Sequence, residues 1–189
     1  MKKILSMLIV ATLLICPIAC GKQQTTPKDN PNIMNLRDIS FDTIGGYEGI
    51  REDLERPKHD KSKEYYSLGS EDVKGYGGFM VGAEQVDDSV KEVKDFKGNK
   101  SQFNYETSLF DTFLYFDNTI TNHEYIDFKD IQIEKYSTTN NSTGEKQEIY
   151  AFIYKNNLYS FHFSIENDDP NMCTTEENIE HIINSIELY

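Results

Sequence analysis

The chain contains no tryptophan and only three cysteines, Cys16, Cys20 and Cys173. We expect Cys16 to leave with an N-terminal signal and Cys20 to lie at the cleavage site. Cys173 would then have no partner for an intramolecular disulfide. The domain must therefore be stabilised by its hydrophobic core, for which 12 tyrosines and 11 phenylalanines supply large apolar surfaces.

Basic residues are outnumbered, with 19 Lys and Arg against 32 Asp and Glu. Removal of residues 1–19 takes away two lysines and no acid, which leaves 17 basic residues and a formal net charge of −15. Such a surface repels the phosphates of nucleic acids and anionic lipids, so we expect no nucleic-acid partner. The acids are spread along the chain, as on a solvated surface; binding of a cation or a basic partner is the alternative.

Long apolar runs are also lacking. The stretch from Ile4 to Ile15 is too short to cross a hydrocarbon core about 30 Å thick as a helix. It follows two lysines and precedes Pro17-Ile18-Ala19-Cys20, the pattern of an export signal. The segment resembles a bacterial lipobox, with Pro17 where that motif usually has leucine. The resemblance implies lipid on Cys20; an ordinary secretory signal and an uncleaved anchor are the alternatives.

The pattern divides the chain into three parts. Residues 1–19 are the predicted lipoprotein signal peptide. Residues 20–37 hold the lipidated Cys20 and a polar stretch with two prolines, which predicts a flexible tether. Residues 38–189 form a single predicted domain. The protein is thus expected on the extracytoplasmic face of a bacterial membrane, held there by its lipid.

The C-terminal third predicts a β-hairpin. Apolar and polar residues alternate on both sides of Asn156-Asn157, which we expect to form a two-residue turn. That turn would place Phe152 opposite Phe161. Six aromatic residues would then share one face of the sheet: Tyr150, Phe152, Tyr154, Tyr159, Phe161 and Phe163.

Other segments predict strands and helices. Alternation indicates a strand over Ile39–Ile44, and an apolar run indicates another over Phe79–Ala83. Helical spacing indicates a short helix over Ser89–Phe96 and a longer one over residues 104–117. A last helix should begin at a Thr174 cap and bury one stripe, formed by Ile179, Ile182, Ile183 and Ile186.

The order of hairpin and final isoleucine-rich helix, from Ile131 to Leu188, resembles the PsbP-like fold. That resemblance implies an α+β domain in which an antiparallel sheet carries helices on both faces, an α/β/α sandwich. The family includes bacterial lipoproteins of unknown role and is thought to consist mostly of binding or accessory modules. No residue-level motif matches, so no site residue is carried over.

No motif for catalysis is present. The chain lacks a Gly-x-Ser-x-Gly turn, a phosphate-binding loop and closely spaced metal-binding histidines. We therefore predict no catalytic residue and no cofactor. The histidines are expected to be ordinary structural or surface residues: His59, His123, His162 and His181. Cys173 is expected to be inert. The weak candidates for calcium ligands are Glu166, Asp168 and Asp169, which lack the spacing of a calcium-binding loop.

These observations favour a membrane-tethered binding or accessory module with a protein partner. A hydrolase whose site is assembled from distant residues is one alternative. A calcium-responsive surface protein is the other.

Overall fold

The computed structural model describes residues 32–44, 63–68, 75, 77–98, 110, 114–115 and 117–189. The predicted signal peptide, Cys20 and most of the predicted 104–117 helix lie outside these residues. The strands are β1 (Ile33–Leu36), β2 (Ile39–Asp42), β3 (Lys63–Leu68), β4 (Phe79–Gln85), β5 (Asn118–Phe128), β6 (Ile131–Asn140), β7 (Lys146–Tyr154), β8 (Asn157–Glu166) and β9 (Glu187–Leu188). The helices are α1 (Val93–Gly98) and α2 (Glu176–Asn184).

The strands form two antiparallel sheets. A six-stranded sheet has the order β3-β4-β8-β7-β6-β5, and a three-stranded sheet has the order β1-β2-β9. Long hairpins join β5 to β6 and β7 to β8, so most of the pairing in the large sheet is between strands close in sequence. This arrangement places β5 at one edge.

The first face of the large sheet carries the aromatic core. It packs against the small sheet and α2, whose Ile179, Ile182 and Ile183 are buried. Phe41 from the small sheet meets the ring of Phe161 edge-on, with centroids 5.0 Å apart. Burial of such rings is the main source of stability in a domain without disulfides.

The second face carries a smaller core. Val90, Val93 and Phe96, in and before α1, pack there with Phe110 and Leu114. Their neighbours on the sheet are Tyr136, Ile149, Ala151 and Leu158. Phe110 and Leu114 have helical backbone conformation, as the predicted 104–117 helix requires at those positions.

The predicted α/β/α sandwich is wrong. The described chain is mostly antiparallel β-sheet in two sheets, with α2 as its one substantial helix. Of the small sheet, the sequence analysis predicted only β2; it missed β1 and β9, which have four and two residues and are too short to show alternation. On the first face, the strands of the small sheet pack beside α2 where the predicted sandwich would have only helices. On the second face, α1 has only six residues.

The hairpin prediction is correct for the face and wrong for the register. All six aromatics belong to the first-face core, Tyr154 at its margin. The turn, however, is Lys155-Asn156, so Phe152 lies opposite Tyr159 and Phe161 opposite Tyr150. Asn157 joins the strand because its amide oxygen accepts from Arg37 and its nitrogen donates to Asp38 at 3.3 Å.

Several shorter predictions can be compared with the fold. The strand predicted over Ile39–Ile44 is β2, which ends at Asp42, and the strand predicted over Phe79–Ala83 is β4. The last helix is capped by Thr175, one residue later than expected. Strand β1 lies within residues 20–37, which the sequence analysis assigned to the tether. Met34 and Leu36 of β1 are buried in the core.

Three polar oxygens lie in a row across the second face. Thr138, Gln147 and Ser164 are cross-strand neighbours on β6, β7 and β8. Within the described part of the chain, a side-chain oxygen of each is buried without a hydrogen-bond partner. A buried polar group of this kind costs about 1–3 kcal/mol of stability.

Replacement of Thr138 should therefore stabilise the protein. Thr138→Val keeps the shape and removes the buried hydroxyl, so we expect the free energy of unfolding to rise by about 1 kcal/mol. Denaturant unfolding measures the change, and half-buried Thr139→Val is the control, expected within about 0.5 kcal/mol of wild type. A loss of stability in Thr138→Val would contradict this account of the row.

Candidate functional site

Strand β5 forms an exposed edge of the large sheet. Seven successive side chains, at positions 119–125, are exposed, and the large hydrophobic residues among them are Ile120 and Tyr125. Among the described residues, β5 pairs with β6 and with no other strand. Alternate backbone N–H and C=O groups on its outer side therefore point away from the sheet. Such a row of groups is a template for an additional strand.

A β-bulge limits the regular part of this edge. The register with β6 shifts between Ile120 and Asn122, which makes Thr121 the extra residue. The Thr121 hydroxyl donates to the carbonyl oxygen of Ser137 at 3.1 Å. From Asn122 to Phe128 the pairing with β6 is continuous. This regular segment, 122–128, is where an added strand could form an unbroken ladder.

A buried carboxylate lies behind the regular segment. Glu134 of β6 is 2% exposed and lies opposite Tyr125. The backbone N–H of Lys94, near the start of α1, donates to its Oε1 at 3.0 Å, and the Tyr136 hydroxyl donates to its Oε2. His123 Nε2 is 2.8 Å from the same Oε2. These contacts offset the cost of removing the carboxylate from water.

His123 connects this carboxylate to the exposed edge. Its ring stacks on Tyr136 with centroids 4.3 Å apart and 9° between the planes. The ring of Tyr125 lies 4.8 Å from it on the same face. If Nε2 donates to Glu134, the neutral imidazole keeps Nδ1 as an acceptor. Burial is the larger cause and the hydrogen bond to Glu134 the second cause of a raised pKa of Tyr136, so this side chain remains a phenol.

The arrangement has two of the three components of a catalytic triad. In a triad, a carboxylate orients a histidine, and the histidine acts as general base on a nucleophile. Within the described residues, no hydroxyl or thiol is hydrogen-bonded to His123. The cluster therefore holds the regular segment of β5 in place and presents two aromatic rings at its surface.

A second histidine has a hydroxyl neighbour but is buried. His162 Nε2 is 3.0 Å from Ser160 Oγ, a spacing suited to a base and a nucleophile. Both residues are 4% exposed, so a substrate has no access to them. Burial lowers the pKa of His162 to about 3, which keeps its imidazole neutral in the folded protein.

The other residues singled out in the sequence have separate places. Exposed His181 lies 3.3 Å from Asp42, and His59 is outside the described residues. Half-buried Cys173 has its Sγ 3.9 Å from the carbonyl oxygen of Asp169. No hydroxyl, imidazole or carboxylate side chain of the described residues is hydrogen-bonded to this thiol.

The three carboxylates considered for calcium have other contacts or face solvent. Glu166 pairs with Lys146 at 2.5 Å, and Asp169 accepts from the backbone N–H of Asn171 as the cap of the short 3₁₀ turn Pro170–Met172. Asp168 is exposed. In the described ranges, no group of three or more His, Cys, Asp or Glu residues is arranged to hold a metal ion.

Comparison with known proteins adds no relative. No family model matches the chain, and no curated protein matches it. Membership of the PsbP-like family therefore stays a prediction. Across the described residues, no helix combines the length and the apolar character needed to span a bilayer.

The sequence analysis missed the cluster around Glu134. Its members are local in the hairpin: His123 and Tyr125 alternate on β5, and Glu134 and Tyr136 alternate on β6. The available signal was one polar or ionisable residue and one tyrosine at alternate positions on each side of a turn at Lys129-Asp130. A polar, exposed strand such as β5 lacks the apolar alternation on which strand prediction depends.

Proposed function

We propose that this chain is a binding module, tethered to the outer face of a bacterial membrane through lipid on Cys20. Its ligand is an extended segment of a partner protein, which adds to β5 as a further strand. The outer edge of β5, which pairs with no further strand of the described part of the chain, is the observation that carries the proposal. Main-chain hydrogen bonds would supply affinity, and the side chains of residues 122–128 would supply selectivity.

The Glu134 cluster supports this role for β5. An isolated hairpin is marginally stable in water, but here the side chain of His123 is joined to Glu134 and stacked on Tyr136. The edge is therefore held in an extended conformation before the partner arrives. Less conformational entropy is then lost on binding than with a flexible segment.

Site-specific photo-crosslinking on intact cells tests the proposal. A photoreactive residue replaces Tyr125, and in a matched control it replaces Met172; the two native side chains are 53% and 52% exposed. We expect a discrete protein adduct from position 125 that is absent from position 172. Equal adducts from the two positions, or none from position 125, would count against strand addition at β5.

Membrane anchoring is tested separately. The wild-type protein should partition with membranes and into the detergent phase, because two or more acyl chains give stable anchoring. Cys20→Ala should release the protein or leave its precursor uncut, and Cys173→Ala is the control that should remain anchored. Wild-type protein found wholly in the medium, with an intact mass that lacks acyl chains, would refute the lipid anchor.

A hydrolase is the second candidate, and the His123–Glu134 hydrogen bond is the observation that favours it. In that case His123 would act as general base on a substrate bound beside Tyr125. Turnover of a peptide, ester or glycan that is lost in His123→Gln and retained in His181→Gln would favour this candidate over the binding module.

A further inference from the structure

We infer that the segment bound by β5 carries two basic side chains three positions apart, with two apolar or aromatic residues between them. This inference rests on the proposed strand addition and names the class of partner. It follows from the charges and the side-chain alternation of the regular segment 122–128.

Among the described residues, the carboxylates along β5 have no cationic partner. Glu124 and Asp127 are exposed, and no ion pair joins either of them to a described lysine, arginine or histidine. Glu124 Oε1 accepts from the neutral amide of Asn122. A strand laid beside β5 would therefore meet two carboxylates available for pairing.

The nearby lysines are already paired with other acids. Lys135 lies across from Glu124 in the register, yet its amine is 2.8 Å from Glu148 on β7. Lys129 is 3.2 Å from Glu187. Lys94, which is close enough to Tyr125 to interact with it electrostatically, pairs with Glu92. These three lysines are thus paired with acids outside β5, and the carboxylates of Glu124 and Asp127 remain available to a basic residue of a partner.

The positions of these two carboxylates on β5 predict how far apart the basic residues of a partner strand must be. Glu124 pairs with Lys135 and points to the first face, whereas Asp127 pairs with Gln132 and points to the second. Residues of an added strand that lie opposite positions 124 and 127 are also three apart and also point to opposite faces. Each would meet its carboxylate across the strand pair, where opposite charges attract.

The two residues between the charges set the rest of the pattern. Tyr125 is exposed on the second face, and Ile126 is half-buried on the first. Aromatic and β-branched residues are their favoured cross-strand neighbours. The partner segment therefore reads basic–apolar–apolar–basic in either strand direction. Its positive charge also complements a chain with 32 acidic and 19 basic residues.

Two synthetic peptides of identical composition test the spacing. Both are blocked at the ends and flanked by threonines; one contains Lys-Val-Tyr-Lys and the other Val-Lys-Tyr-Lys. Calorimetry against the full chain should show about two- to fivefold tighter binding of the first, because the second places one lysine away from its carboxylate. Binding of the first should weaken as salt rises.

A protein variant supplies the matched control. Glu124→Gln combined with Asp127→Asn should abolish the difference between the peptides, while Asp168→Asn, an exposed acid away from β5, should preserve it. Unchanged thermal unfolding would show that the variants are folded. Equal affinities of the two peptides for the wild-type chain would overturn the inference and leave strand addition standing. Failure of both peptides to bind would also overturn it, and the crosslink from position 125 would decide strand addition independently.

Discussion

Acidification from pH 6.5 to pH 3 should destabilise the folded protein by about 4 kcal/mol through His162 alone. Burial on the second face lowers the pKa of this imidazole from 6.5 to about 3. Between these values the unfolded chain binds a proton that the folded chain does not. The free energy of unfolding therefore falls as the pH falls, by about 1.4 kcal/mol per pH unit.

The His162 contribution is isolated by comparing slopes. The free energy of unfolding is measured from denaturant curves between pH 6 and pH 4 for wild type, His162→Gln and His181→Gln. His162→Gln should lose about 1.4 kcal/mol per pH unit of the slope, whatever its stability at neutral pH. Exposed His181→Gln should keep most of it. A wild-type slope retained in His162→Gln would show that the imidazole is not buried as described.

Truncation of Phe161 to alanine should cost about 3–5 kcal/mol of unfolding free energy. Phe161 is fully buried, and its ring contacts Phe41 edge-on at 5.0 Å and stacks with Phe79 at 6.3 Å. The contact with Phe41 joins the small sheet to the large one, so the cavity would open at the centre of the first-face core. Tyr125→Ala, on the exposed edge, should change stability by no more than about 0.5 kcal/mol.

The Phe161 comparison is made by urea unfolding of the two variants. A cost below about 1 kcal/mol for Phe161→Ala would mean that the two sheets do not pack through this ring. A large cost for Tyr125→Ala would mean that β5 is covered rather than open.

Amphipathic patterns in the sequence located the elements that bury one face. The aromatics of β7 and β8 and the isoleucines of α2 were assigned correctly because burial on one side imposes a period of two or 3.6 residues. The hairpin register was two residues out. Both Asn156 and Asn157 tolerate a turn, and the choice depends on Arg37, about 120 residues away in the chain.

The elements that define the candidate site lie beyond such patterns. Residues 119–125 of β5 are exposed on both faces of the sheet, so this part of the sequence has no period of buried apolar residues. The hydrogen bond between His123 and Glu134 depends on the register of β5 against β6, which runs unbroken from Asn122 to the turn at Lys129-Asp130. The small sheet is likewise specified by tertiary packing, since β9 has two residues.

Hydrogen exchange along β5 tests the central claim most directly. In the free protein, alternate amides of the regular segment 122–128 should exchange rapidly, because their N–H groups point outward from an unpaired edge. On addition of the Lys-Val-Tyr-Lys peptide, or of a partner identified by crosslinking, the same amides should become protected while those at the β7–β8 turn remain unchanged. Protection confined to another strand, or none in residues 122–128 with the ligand bound, would contradict the assignment of β5 as the binding edge.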